Sequence, residues 1–265
     1  MRTAVVARRR GGTGRLGLGL ALVLCGGLCM PAAAAPGGDT ASASADQADH
    51  DPIEGFNRKI FWFNDKVDVY VLEPVAHAWQ WIAPERVRNS VGNFFLNLRF
   101  PIVTVNDLLQ GKLKASASDV GRFGVNTTVG VLGFFDPASG WGLERHDEDF
   151  GQTLGVWGVP PGPYLVLPIL GPSNPRDTGG LVVDTALSVT PFFLDWYVTT
   201  GAKAFETINY RASILQEVHD AKQGALDYYT FVRNAYQQRR KALVSDNAEP
   251  STQDEDELYH PELGR

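Results

Sequence analysis

The stretch that decides the fold is DPIEGFNRKIFWFNDKVDVYVLEP, residues 51–74. Asp51 is a favourable helix N-cap, Pro52 suits the first turn, and Glu54 lies where a capping box places an acid. Apolar side chains then recur at steps of three or four residues: Ile53, Phe56, Ile60, Phe63, Val67 and Val71. Polar side chains occupy most of the opposite face. The pattern predicts an amphipathic helix that ends at Pro74.

The same helical spacing continues through the rest of the chain. It predicts a second helix after Pro84, a third over residues 101–110 and a fourth from Leu113. A long helix is predicted over residues 203–241, with a kink at Gly224. We find no convincing alternation of apolar and polar residues that would predict a strand. The expected fold class is therefore all-α.

The composition is that of a folded protein. Of the 265 residues, 44% are apolar and 20% are charged, and the net charge is −6. This length predicts one or two domains. An acidic chain repels phosphates, so nucleic acid is not an expected partner. Two cysteines are too few for a disulfide scaffold.

The first 35 residues differ from the rest. They contain five arginines and no acidic residue, so the remaining chain has a net charge of −11. The basic start, the apolar run at residues 16–24 and the alanines after Pro31 are typical of a secretion signal. The general secretion route fits this signal better than the twin-arginine route. We therefore expect residues 1–35 to be a signal peptide and the protein to leave the cytoplasm.

Both cysteines, Cys25 and Cys29, lie in this signal. A lipoprotein signal has a small residue before the lipidated cysteine, whereas a leucine precedes each cysteine here. Alternatively, Ala32 and Ala34 supply a small-x-small cleavage site, which would leave a cysteine-free mature chain. The residues leave both alternatives open, with Cys25 as the candidate for lipidation.

Two polar segments flank the helical region. Residues 36–50 are rich in Gly, Ala, Ser and Asp and are predicted to be a flexible tether. Residues 244–265 contain the acidic run 254–257 and are predicted to be a disordered acidic tail. The folded domain is therefore expected over residues 51–243.

The middle of the chain is poor in charge. Between Asp149 and Arg176 lie 26 consecutive uncharged residues, of which six are proline and five are glycine. So many prolines exclude an ordinary membrane-spanning helix. Two interpretations remain for this apolar segment. It is either the buried core of a soluble protein, or part of a protein held in a membrane by amphipathic helices and irregular apolar segments.

No motif for catalysis is visible. The chain has no nucleophile elbow, no phosphate-binding loop and no H-E-x-x-H motif. The five histidines are scattered. Residues 144–149, ERHDED, are sequence neighbours whose side chains usually diverge, so we interpret them as a solvated loop or helix start and not as a metal site. We expect no enzyme activity, no cofactor and no metal.

Several ordered motifs together resemble one known family. They are DPIEGFNR at 51–58, NLRFP at 97–101, NDLLQG at 106–111, FGQTLG at 150–155, GPY at 162–164, LP at 167–168, GPS at 171–173 and RD at 176–177. Over about residues 51–240, the chain resembles the MlaA (VacJ) lipoproteins, which belong to a phospholipid transport system of the Gram-negative outer membrane.

The resemblance implies a ring-shaped, all-helical protein that lies in the outer membrane and faces the periplasm. It implies an amphipathic channel through which misplaced phospholipid leaves the outer leaflet, so that lipid asymmetry is maintained. The implied partners are phospholipid, a trimeric outer-membrane porin and the periplasmic lipid carrier MlaC. The family is normally lipidated on a cysteine after a small residue, and Leu24 departs from that pattern.

The candidate site residues fall into two groups. The channel candidates are Asn57, Arg58, Arg176, Asp177 and Lys203, and Arg176 is the candidate contact for a lipid phosphate. The alternative for Asn57 and Arg58 is packing or capping at the helix surface, and for Arg176 and Asp177 it is an ion pair that caps the next helix. The hinge or gate candidates are Gly155, Gly158, Pro160, Gly162, Pro163, Tyr164, Pro168 and Gly171. Their alternative is a rigid turn.

Three kinds of function are therefore compared. The first is a lipid-transfer channel with no chemical reaction, the second is a structural lipoprotein that only scaffolds porins, and the third is a periplasmic enzyme. The missing catalytic constellation disfavours the enzyme. A scaffold needs no continuous polar path through its interior, so the interior distinguishes the first two.

Overall fold

The computed structural model describes residues 51–188 and 190–245. The predicted signal, the predicted tether, Cys25 and the predicted tail beyond residue 245 lie outside these described residues. Within them the elements are α1 (Glu54–Val67), α2 (Glu73–Ile82), α3 (Glu85–Leu98), α4 (Phe100–Leu109), α5 (Leu113–Thr128), α6 (Pro137–Gly140), α7 (Phe150–Val156), β1 (Leu165–Leu167), β2 (Gly171–Ser173), α8 (Pro175–Leu187), α9 (Thr190–Phe193), α10 (Trp196–Ser213), α11 (Leu215–Gly224) and α12 (Tyr228–Val244). The all-α class is confirmed.

The first helix does not end at Pro74, so that prediction is wrong. A π-helical turn, Asp68–Leu72, follows α1, and Pro74 lies in the first turn of α2. Proline is tolerated at the start of a helical segment, where its missing N–H removes no essential bond. The wider π turn accommodates the pyrrolidine ring, so the chain continues as a helix to Ile82.

The predicted long helix is three separate helices. The chain breaks at Ile214, between α10 and α11, and again over residues 225–227. The second break follows Gly224, and Asp227 then caps α12 by accepting a hydrogen bond from the backbone N–H of Tyr229 at 3.1 Å. The apolar spacing runs through both breaks, which is why periodicity alone could not locate them.

A small antiparallel hairpin interrupts the helical chain. In its register Leu165 pairs with Ser173, and Leu167 pairs with Gly171. Its turn places Ile169 and Gly171 in the left-handed region, with φ values of 68° and 83°. Strands of three residues are too short to show an alternating pattern, so the sequence did not predict them.

Two close helix contacts position the elements around the site. Helices α4 and α5 pack against each other, and Gly111, with φ of +77°, makes the turn between them. Helices α7 and α8 approach so closely that a Cβ on Gly180 would lie 2.3 Å from the backbone nitrogen of Gly151. This approach requires glycine at the crossing.

Polarity is inverted between the interior and the surface. Among the described residues, 21 buried residues are polar or charged and only 13 are apolar. At the same time 32 large apolar side chains are exposed, and five of the six tryptophans are more than half exposed: Trp62, Trp81, Trp141, Trp157 and Trp196. Such an extensive apolar surface is typical of contact with a membrane or another protein.

The helices themselves are too short or too polar to cross a bilayer. Within the described part of the chain, no helix combines the length and the apolar character that spanning a membrane requires.

Candidate functional site

A cavity of about 80 Å³ lies between α3, α4, α5 and the segment before α7. Its polar wall is formed by Asn93, Asn97, Arg99, Asp119, Arg122, Asn126, Asp136, Arg145, His146 and Asp147. Its apolar wall is formed by Leu96, Phe100, Val103 and Phe123. The cavity is therefore amphipathic, with three arginines on its polar side.

Helical spacing explains how the cavity is lined. Asn93 and Asn97 are four residues apart on α3, which places them on one face. Asp119, Arg122 and Asn126 are spaced by three and four on α5 and likewise share a face. This polar stripe on α5 is visible in the sequence and could have identified the cavity, but neither the apolar spacing nor the family motifs single it out.

Two of the cavity carboxylates, Asp136 and Asp147, pair with arginines and remain charged. Arg122 donates to Asp136 at 2.5 Å, and Ser139 and Asn126 donate to the same carboxylate. Burial opposes ionisation of Asp136, but these hydrogen bonds and the Arg122 charge lower its pKa overall. Arg99 lies 2.9 Å from Asp147 and is the main cause of that carboxyl's lowered pKa. These charged groups form a polar wall suited to a zwitterionic or anionic head group.

Asn57 lies in a buried clamp and not in the cavity wall. Its side chain is fully buried, donates to the carbonyl oxygen of Tyr164 at 2.9 Å and accepts from the backbone N–H of Val166 at 2.9 Å. Asn64, two turns further along α1, donates to the carbonyl oxygen of Leu167 at 2.9 Å and accepts from the N–H of Ile169 at 2.7 Å. Together the two asparagines attach the hairpin to α1. Asn64 lies outside the family motifs, so no motif singled it out.

Arg58 lies on the outer side of the same helix. It pairs with Glu54 at 2.6 Å and with Asp227 at 2.5 Å, and its guanidinium lies 4.4 Å from the ring centre of Tyr229. Hydrogen bonding to Arg58 lowers the pKa of Asp227 well below its usual range. The structure therefore places Arg58 between the start of α1 and the start of α12.

Arg176 and Asp177 belong to a buried ion-pair network at the start of α8. Arg176 Nε lies 2.9 Å from Asp177 Oδ1, and Asn174 caps the helix by accepting from the Asp177 N–H at 2.8 Å. Arg240 of α12 contacts Asp177 at 2.8 Å and Asp149, the cap of α7, at 2.5 Å. The network joins α7, α8 and α12. Neither Arg176 nor Asp177 is among the residues that line the cavity.

Lys203 lies on α10 and is not among the residues that line the cavity. Its Nζ is 2.7 Å from Glu206, one turn further along the same helix. None of the five channel candidates lines the cavity, and among them only Arg176 and Asp177 form an ion pair with each other.

The hinge candidates lie along the link between α7 and the hairpin. Gly155 is inside α7, where a Cβ would lie 2.7 Å from Arg176 Nη1. The exposed link that follows contains Pro160 and Pro163, and it also contains the positive-φ residues Gly158 and Gly162. The remaining candidates lie in or beside the hairpin: Tyr164, which is buried, Pro168 and Gly171. Their role as a hinge or gate stays a prediction.

Comparisons with known proteins agree with this architecture. A family model described as "MlaA lipoprotein" matches residues 49–243. The intermembrane phospholipid transport system lipoprotein MlaA of Escherichia coli K12 is 39% identical over 212 residues, 78% of this chain and 84% of that protein. A relative from Rickettsia felis is 37% identical over 196 residues, 74% of this chain and 78% of that protein. A solved structure, from work on the "Structural basis for maintenance of bacterial outer membrane lipid asymmetry", superposes with a TM-score of 0.66 at 38% identity. It covers 74% of this chain and 99% of the solved chain.

Proposed function

Because this chain belongs to the MlaA lipoprotein family, we propose that it removes misplaced phospholipids from the outer leaflet of the Gram-negative outer membrane. The lipid passes through an amphipathic channel in a ring-shaped body and reaches a periplasmic carrier of the MlaC type. No chemical reaction is involved, so the protein is not an enzyme. Its transport maintains the lipid asymmetry of the outer membrane.

The observation that supports this proposal is that many polar and charged side chains are buried while many large apolar side chains are exposed. A phospholipid has a charged head group, which is costly to bury without polar partners, and two long apolar tails. The cavity supplies arginines, asparagines and carboxylates on one wall and aromatic and aliphatic side chains on the other. A lipid head group entering this cavity would exchange water for charge-assisted hydrogen bonds.

The exposed apolar surface supports the proposed location. Exposed tryptophans such as Trp81 and Trp196 are amphipathic side chains suited to the boundary between lipid and water. We propose that this surface contacts outer-membrane lipid and a trimeric porin, with the protein facing the periplasm. A lipid on Cys25 would add an anchor, and without it the amphipathic body alone would hold the protein in the membrane.

A porin scaffold that transports nothing would need the same apolar surface. The buried polar wall favours transport, because a scaffold gains nothing from burying charged groups that an apolar core could replace.

The test compares an arginine that lines the cavity with one that does not. Arg145→Gln removes a positive charge from the polar wall, and Arg86→Gln removes the same charge from the exposed face of α3. Each variant is expressed in a strain lacking the gene, at equal protein level. Phospholipid on the surface of intact cells is then measured with an amine-reactive reagent that does not cross membranes.

We expect surface phospholipid to rise on deletion and to fall to the original level with the unaltered chain and with Arg86→Gln. Arg145→Gln should leave it raised, because the lipid phosphate loses a partner. If deletion changes nothing, the transport function is wrong. If Arg145→Gln complements fully, the cavity is not the lipid path and the scaffold becomes the better explanation.

A further inference from the structure

Three side chains with metal-binding atoms converge beside the cavity. Asp107 lies near the end of α4, Asp119 lies on α5, and His146 lies in the segment before α7. One binding atom from each residue lies within 4.8 Å of the other two, and His146 Nδ1 is 3.0 Å from Asp119 Oδ2. The three residues are separated in the sequence, and the fold brings their side chains together. Adjacent residues within 144–149 could not converge on one ion in this way.

A second observation, independent of this convergence, concerns the side chain of Asp107. Its side chain is fully buried, and neither carboxylate oxygen has a hydrogen-bond partner among the described residues. A buried carboxylate without a partner is costly, and a bound cation would satisfy it.

The positive side chains around the cluster already have acidic partners. Lys112 contacts Glu148 at 2.8 Å, and Arg122 contacts Asp136 at 2.5 Å. The next acidic neighbour, Glu148, is therefore paired, while the carboxylate of Asp107 is not. Neither of these two cations is therefore the partner of the Asp107 carboxylate.

We propose that Asp107, Asp119 and His146 bind one divalent transition-metal ion, with Zn²⁺ as the best-suited ion. An imidazole with two carboxylates is a zinc-type donor set, and a tetrahedral ion with bonds of about 2.1 Å separates its ligand atoms by about 3.4 Å. The 3.0 Å separation of His146 and Asp119 is close to that value. Calcium and magnesium are less suited because they require more oxygen ligands.

The ion would add a direct link among three elements that hydrogen bonds already join, such as the bond from Ser118 to the carbonyl oxygen of Glu144 at 2.8 Å. Asp107 and Asp119 belong to the packed pair α4 and α5, and His146 would attach the following segment to that pair. Because Asp119 and His146 also line the cavity, the ion would fix one part of its wall. This site is independent of the proposed transport function.

The test uses the full chain purified from membranes in detergent and stripped of metal with a chelator. Zn²⁺ binding is measured by titration calorimetry, and thermal unfolding is followed with and without Zn²⁺. The variants are His146→Ala and Asp107→Asn. The control is His77→Ala, which removes an exposed histidine on α2.

We expect one Zn²⁺ per chain in the unaltered protein and in His77→Ala, with a rise in Tm on Zn²⁺ addition. Affinity should fall at least about tenfold in both ligand variants, and the rise in Tm should disappear. If His146→Ala fails to fold, the Asp107→Asn variant alone tests metal binding, because asparagine keeps the shape of the side chain. The proposal is wrong if the unaltered chain shows no saturable binding, or if the ligand variants bind as tightly as His77→Ala. The proposal is also wrong if Zn²⁺ does not change the Tm of the unaltered chain while the Asp107→Asn substitution itself raises the Tm. That result would mean that a proton, and not a metal ion, occupies the site.

Discussion

Replacing Asn57 with alanine tests how the hairpin is attached to the helical body. Asn57 donates to the Tyr164 carbonyl and accepts from the Val166 N–H, and both of those residues are buried. Alanine would leave one backbone acceptor and one backbone donor without partners and out of reach of water. Each such group costs about 1–3 kcal/mol, so we expect a loss of about 2–6 kcal/mol in the free energy of unfolding.

Asn64→Ala is the matched control, because Asn64 makes the same pair of backbone hydrogen bonds two helical turns away. Its partners are Leu167, which is half-buried, and Ile169, which is 36% exposed. Water can replace the lost side chain at these more open positions, so the expected loss is below about 1 kcal/mol. The two substitutions remove the same atoms from the same helix. They differ in the burial of the backbone partners and in the additional hydrogen bond that Asn57 donates to the Asp51 carboxylate at 2.9 Å.

The assay is thermal unfolding in detergent, followed by near-ultraviolet circular dichroism. For a domain of this size, 1 kcal/mol corresponds to a change of about 2–4 °C in Tm. Asn57→Ala should therefore lower Tm by at least about 4 °C, and Asn64→Ala should lower it by less than about 4 °C. Equal shifts for the two variants would refute the argument, because burial of the partners would then not determine the cost.

Two further predictions concern α7 and α8. Gly180→Ala should destabilise the protein by about 1–3 kcal/mol, measured by denaturant unfolding, because its Cβ would lie 2.3 Å from the backbone nitrogen of Gly151. Gly179→Ala, where a Cβ meets nothing within 4 Å, should be neutral or stabilising, and the reverse order would contradict the close helix contact. Burial raises the pKa of Asp184 from 3.8 to about 6, so the folded state holds this proton more tightly than the unfolded state. Its contribution to stability is therefore greatest below pH 3.8 and is lost as the pH rises to about 6, by up to about 3 kcal/mol. Asp184→Asn should remove that part of the pH dependence, and an unchanged stability profile between about pH 4 and pH 6 would show that another group causes it.

Local patterns were sufficient for the helical fold class and for several helix positions. The spacing of apolar residues, with proline and glycine at the boundaries, correctly indicated α3, α4 and α5. It failed at Pro74 and at the breaks before α11 and α12. There the apolar spacing continues across a change in backbone geometry, so periodicity carries no information about the break.

The candidate site was much less predictable than the helices. The motif residues Arg176 and Asp177 are adjacent and form an ion pair with each other. Arg240, which lies more than 60 residues away in the sequence, also contacts Asp177. The cavity arginines Arg99, Arg122 and Arg145 were not identified as a group, because they come from the end of α3, from α5 and from an irregular segment. Their meeting depends on how the helices pack.

The sequence by itself determined the helical class, the separation of a basic start from an acidic body, and the family, because these depend on composition, local spacing and short motifs. Only the tertiary structure decided that charged side chains lie inside and tryptophans lie outside, since an amphipathic helix has two faces and its sequence does not say which one is buried. The structure alone also brought Asp107, Asp119 and His146 together. Such convergence results from the long-range packing of helices, which no local pattern encodes.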